Sequence, residues 1–220
     1  MCGSASVSFG TFAVAAVCMA YVGARPGATI DQRWLACVAM SFTAVQLVDG
    51  VLWLTVAHRC PRVNSAVARY VLPCVLLAEV WVSYACARRF AGWRPPPVYG
   101  SCLLLYTVVT LAVWIRGCRS PARPGPEGYL WWCGGPDRRA GDLHGAVNKI
   151  AFFALLIVPV FVAFPEGTLR GLIISTAILT FLYAYGRPDF GARWCWSANT
   201  LAVLAALTVA FPVAAADGGG

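Results

Sequence analysis

Ser41-Phe42-Thr43-Ala44-Val45-Gln46-Leu47-Val48-Asp49-Gly50-Val51-Leu52-Trp53-Leu54 is the stretch whose reading decides the fold. It is apolar enough to lie inside a bilayer, yet it contains a carboxylate, Asp49. On a helix turning 100° per residue, Gln46, Asp49, Gly50 and Trp53 fall within roughly a 100° arc. One face is therefore polar, with a glycine where a second helix can come close, and the opposite face is greasy. A charge at that depth costs several kcal/mol unless it is paired, hydrated or neutralised. The rest of the chain must supply whatever makes Asp49 tolerable.

Apolar residues make up 60% of the 220 residues and charged residues 12%. One soluble core of this size could not hide so much apolar surface, so lipid is the expected solvent for most of it. The formal charge of +8 comes from sixteen Arg and one Lys against nine acids. Nearly all the arginines lie between apolar segments, where they read as interfacial anchors and topology signals, and nucleic acid is not expected as a partner. About half of the ten cysteines lie inside apolar segments and read as small hydrophobes.

Seven apolar segments follow one another, at about 6–22, 34–57, 67–87, 98–115, 146–164, 169–185 and 194–211. Each is near the roughly 20 residues that a spanning helix needs. The expected architecture is all-α: one polytopic domain, a bundle of seven transmembrane helices. The first segment lacks the positive start of a signal peptide and reads as a retained span. The long connection 116–145 is rich in Arg, Pro and Gly but includes Tyr129-Leu130-Trp131-Trp132, which suits either a short interfacial helix or a plain loop at headgroup level. A three-plus-three repeat with one added helix stays open.

Orientation rests on the basic residues. Connections on the N-terminal side carry eleven Arg or Lys and those on the opposite side six, which favours a cytoplasmic N-terminus, tentatively in the cell membrane. Without the five arginines of the long connection, and leaving Lys149 to its span, the balance is five against six.

Three motifs occur in order: Met1-Cys2-Gly3-Ser4, then Gln46-Leu47-Val48-Asp49-Gly50-Val51-Leu52-Trp53, then Trp194-Cys195-Trp196. Together they resemble a family of uncharacterised bacterial and viral seven-span membrane proteins. Its members tend to open Met-Cys-Phe-Ser, carry Gln-Leu-Val/Ile-Glu-Gly-x-x-Trp in span two and have a Trp-Cys motif in the last span. This chain departs at Gly3, where the family has Phe, and at Asp49, where it has Glu. The resemblance implies seven spans and a conspicuous acid in span two, and no particular reaction.

Helix direction alternates, so depth follows at about 1.5 Å per residue. Asp49, Asn148, Lys149 and Asn199 fall near one level, on the N-terminal side, and Glu79 lies deeper. The candidate ligand-binding residues are Gln46, Asp49, Trp53, Glu79, Asn148, Lys149, Cys195 and Asn199. One reading is a hydrated vestibule binding a small polar solute, ion or proton; the other is a structural network in which Lys149 or the amides quiet the acid. A membrane enzyme using Cys195 or Asp49 on a lipid-borne substrate is an alternative, as is an interaction protein without a ligand. Familiar chemistries lack parts: the only Lys is not in the last span, as a retinal protein requires, and His58 and His144 both lie in connections. With no Cys-x-x-Cys, neither a metal nor another cofactor is expected. Cys2, Cys60, Cys118, Cys133 and Cys195 map to the N-terminal side, where an oxidising compartment would let them pair; unpaired small residues are the favoured reading.

Overall fold

The computed structural model describes residues 3–125, 128–133, 143–164, 167–184 and 190–211. Its described residues form seven helices and one two-stranded hairpin. The elements are α1 (Ala5–Ala24), α2 (Ile30–Ala57), α3 (Pro61–Ala91), α4 (Pro97–Gly117), β1 (Arg123–Pro124), β2 (Leu130–Trp131), α5 (Leu143–Ala163), α6 (Thr168–Ala184) and α7 (Phe190–Ala210). Helices α1 to α4 are each long and apolar enough to cross a membrane. The described apolar stretches of the other three are shorter: Val147–Ala163, Arg170–Tyr183 and Asn199–Ala210.

The helices begin earlier than their apolar segments, and for two of them the local cause is plain. Helix α2 starts at Ile30 because Thr29 and Gln32 form a capping box, the Gln32 side chain accepting from the Thr29 N–H at 3.1 Å. Helix α3 starts at Pro61, whose fixed φ suits the first helical position and whose missing N–H costs nothing there. Polar residues in both first turns hide these starts from a reading of hydropathy.

Helix α2 is the hub. It packs against α1, α3 and α7, while α5 joins α3 to α6, and α4 leans on α3 and α5. Trp34, Leu35, Ala39, Val45 and Leu52 of α2 are wholly or almost wholly buried, so the helix that carries Asp49 is also the core of the bundle. Its pairing with α1 is close enough to need glycine twice. A Cβ on Gly23 would sit 2.6 Å from that of Ala36, and one on Gly50 would sit 2.6 Å from the Phe9 ring. The glycine on the polar face thus marks a close helix approach, as expected.

Two prolines leave carbonyls that other helices satisfy. Pro159 has no N–H, so the Leu155 carbonyl one turn earlier loses its helical donor. The Tyr99 hydroxyl of α4 donates to that oxygen at 2.5 Å, and the Ser83 hydroxyl of α3 donates to the next carbonyl, Leu156, at 2.8 Å. In α3 the residues Val67–Val71 form a π turn, with the Leu72 N–H bonded to the Val67 carbonyl. That register would assign the Ala68 carbonyl to Pro73, which cannot donate; the Trp114 indole of α4 does so instead, at 3.0 Å. In a lipid setting these cross-helix donors are what makes proline affordable.

Tyr99→Phe is therefore expected to lower stability by about 1–3 kcal/mol, by orphaning a buried carbonyl. In a Pro159→Ala background the restored N–H should remove most of that cost. Denaturation of the four variants in detergent checks it; an equal cost in both backgrounds would refute the account of Pro159.

Candidate site beneath a disulfide-tied cap

Asp49 is 1% exposed, and Gln46 beside it on the same face is wholly buried. Among the described residues its carboxylate accepts one hydrogen bond, 2.8 Å long, from the indole of Trp132. That donor comes from the long connection after α4. Lys149, which the depth estimate places near Asp49, is buried on α5 and is not among Asp49's partners; α2 meets α3 rather than α5 along this side. The acid is thus met by an indole from outside the bundle.

The described part of the connection is neither an interfacial helix nor a plain loop. Arg123 pairs with Trp131 and Pro124 with Leu130 in an antiparallel hairpin, and Cys118 is joined to Cys133 by a disulfide. Unpaired small residues are thus the wrong reading for these two cysteines; Cys60 is free and exposed, and Cys2 lies outside the described residues. The sequence alone shows only a 15-residue spacing, which chains with and without a bridge share. A hairpin of two-residue strands is marginal by itself. Closing a loop of this length adds about 3 kcal/mol by the chain-entropy estimate, so the cross-link and the docking contacts hold the cap together.

Docking is specific. The Asn64 carbonyl oxygen accepts from the Ala122 N–H at 2.5 Å, and its amide donates to Thr55 at 2.9 Å and to the Leu52 carbonyl at 3.4 Å. Ala122, Tyr129 and Leu130 are buried, and Cys118, Ala122 and Leu130 join Val45, Val48, Leu52, Ala68 and Leu72 in one apolar cluster. Trp132 lies 6.3 Å from Trp114, the residue that serves the π turn. Trp131, half-buried like Trp132, has the Arg123 guanidinium 5.4 Å from its ring.

The remaining candidates divide into separate places. Gln46 accepts from Thr11 of α1 at 3.3 Å, linking the Asp49 face to α1. Trp53, half-buried, packs against the cluster under the cap. Glu79 is wholly buried on α3 and close enough to Tyr106 of α4 to interact electrostatically. Asn148 is exposed and accepts from Thr110 of α4 at 3.4 Å. Helices α3, α4 and α5 thus carry further polar groups. Ser41 and Thr43 donate to carbonyls of their own helix at 2.7 and 3.1 Å. Asn199 is buried on α7, and its amide has no hydrogen-bond partner among the described residues. The side chain of Cys195 lies outside the described residues.

Two residues that matter here, Trp132 and Asn64, escape the sequence reading. The only signal for Trp132 is an aromatic run inside a connection otherwise rich in Arg, Pro and Gly. Asn64 lies in a polar helix start that looks like a turn. Chemically, the site offers a carboxylate with room for several hydrogen bonds, of which the indole uses one. Such a group suits a proton or a small cation. Among the described residues no three of His, Cys, Asp or Glu lie together as metal ligands would. No protein-family model, curated protein or solved structure matches this chain.

Proposed function

We propose that this chain is a seven-helix integral membrane protein with a polar intramembrane site around Asp49 that binds or moves a small solute, favouring a cation or proton. The observation that carries this reading is the burial of Asp49 in the central apolar helix with a single hydrogen bond among the described residues, from a residue 83 positions away in a cap outside the bundle. An acid needed only for helix packing is more economically met by a neighbouring helix. Helices α5 to α7 complete the seven spans in this reading. The three ordered motifs support membership of the seven-span family that the sequence resembles.

One observation favours a second reading. The Asp49–Trp132 bond joins cap to helix, so the acid could serve as an anchor without a ligand. Cation or proton flux in liposomes carrying the purified protein separates the two: flux that depends on Asp49 supports the site, and an intact protein without flux supports the anchor. Turnover of a lipid in detergent without any gradient would instead favour a membrane enzyme.

The disulfide also bears on orientation. Cross-links persist in oxidising compartments. The cap lies on the N-terminal side, and five of the eleven basic residues that favour a cytoplasmic N-terminus belong to its connection. We therefore favour the reverse arrangement, with cap and N-terminus outside and the end of α7 inside. A reporter fused after residue 220 is expected to read cytoplasmic, and non-reducing mass spectrometry of membranes should recover the Cys118–Cys133 peptide pair. An external reporter with both thiols free would overturn the assignment.

A further inference from the structure

We propose that Cys37 of α2 and Cys86 of α3 are a reversible dithiol–disulfide pair that reacts with a small disulfide of the glutathione class and, once oxidised, ties the hub helix to α3. Both cysteines are free, and their side chains are hydrogen-bonded to each other across the packed α2–α3 pair. A thiol is a weak donor and a weak acceptor, so this contact holds two sulfurs side by side without joining them. The two are not equivalent. Cys37 is exposed, whereas Cys86 is 6% exposed and belongs to the apolar cluster that also holds Trp34, Leu35 and Val38. One thiol can meet a reagent from outside and the other can meet its neighbour. That is the division of labour between an attacking and a resolving cysteine.

The place of the pair suits a water-soluble reagent. Arg33 precedes Cys37 by about one helical turn, and Arg88 follows Cys86 just before the end of α3, both exposed. Arginines at helix ends mark the headgroup level, so both thiols lie close to it. This is the end of the bundle opposite the cap. On the orientation favoured above it faces the cytoplasm, where thiols are kept reduced and a rise in glutathione disulfide oxidises them. The bridged Cys118–Cys133 pair and the unbridged Cys37–Cys86 pair then each match their own side of the membrane.

The step is two thiol–disulfide exchanges. The Cys37 thiolate attacks one sulfur of glutathione disulfide and expels a glutathione thiolate, leaving a mixed disulfide on Cys37. The Cys86 thiolate then attacks the Cys37 sulfur and expels the second glutathione. Two electrons and two protons leave the protein, which gains one disulfide, and two glutathione thiols are released.

The chemistry is tested in detergent, where orientation plays no part, so its failure would leave the topology and the reading of Asp49 standing. Purified full-length protein is incubated with glutathione disulfide, quenched with N-ethylmaleimide and mapped by peptide mass spectrometry without reduction. The Cys37–Cys86 peptide pair should form, exceed glutathione-bearing Cys37 by about tenfold or more, and disappear again in excess reduced glutathione. In Cys86→Ser the reaction should stop at the mixed disulfide on Cys37, and in Cys37→Ser the buried Cys86 should stay unmodified. Exposed Cys60, between α2 and α3, reports that the reagent is active. Wild-type protein in which Cys60 reacts and Cys37 does not would overturn the proposal, and that measurement needs no variant to fold. A stable glutathione adduct on wild-type Cys37, with Cys86 still a thiol, would overturn it as well. Glutathione on Cys86 in Cys37→Ser would contradict the assigned roles.

Discussion

Gly23→Val should be among the most damaging single substitutions in the chain, lowering stability by about 3 kcal/mol. The Cβ of any larger residue would meet the Ala36 Cβ at 2.6 Å, with the Arg33 Cα at 3.8 Å behind it. Ala36 has no torsion that could carry its methyl away, so relief requires α1 and α2 to separate. That separation would loosen the packing of Met19 and Val22, both buried, against the hub helix. The neighbour at Gly50 is different, because the Phe9 ring can swing aside and soften the clash. Thermal unfolding in detergent should therefore rank Gly23→Val well below Gly50→Ala. Ala36→Gly in the same chain should recover much of the loss, by reopening the space. Equal stabilities for Gly23→Val and wild type would mean that the α1–α2 pair is not packed as described.

Asp49→Asn carries the second large effect, this time on function. The amide is close in shape to the carboxylate, and its oxygen can accept the same Trp132 indole bond. It also removes the cost of desolvating a charge, so stability should stay within about 1 kcal/mol of wild type or rise. Asp49→Ala is the contrasting variant. It strands the indole N–H in a half-buried position and leaves a void, at about 1–3 kcal/mol. Any flux or cation binding that depends on ionisation of Asp49 should vanish in both variants. A pure anchor would give another pattern, in which Asp49→Asn is silent in every assay and only Asp49→Ala is impaired.

Much of the helical order was legible because lipid-compatible sequence leaves little choice. Apolar runs of about 20 residues separated by Arg, Gly and Pro mark the seven helices, while polar first turns hide the starts at Ile30 and Pro61 and the runs also miss the starts at Leu143 and Phe190 by three and four residues. Asp49 stood out because a carboxylate in such a run is expensive, and Gly50 because a polar face with a glycine invites close packing. The partner of Asp49 was not legible. Depth counted along helices gives one coordinate of three, so it could not show that α2 packs on α3, and α3 in turn on α5, the helix of Lys149. The cap was hidden for a different reason. Its stability comes from a cross-link and from docking onto Asn64, and neither leaves a periodic pattern. Pro73 and Pro159 were visible as residues, but which helices answer them depends on packing, as Trp114 and Tyr99 show.

The central claim is that Asp49 is a working carboxylate, and flux in reconstituted liposomes tests it most directly. Wild type, Asp49→Asn and protein-free vesicles are compared under an imposed gradient, with a pH-sensitive dye reporting protons and tracers reporting sodium and potassium. The account predicts flux of at least one of these ions above the empty vesicles in wild type, and flux at the empty-vesicle level in Asp49→Asn, with the variant's melting temperature retained. Undiminished flux in Asp49→Asn would contradict it, as would a folded wild type that passes none of the three.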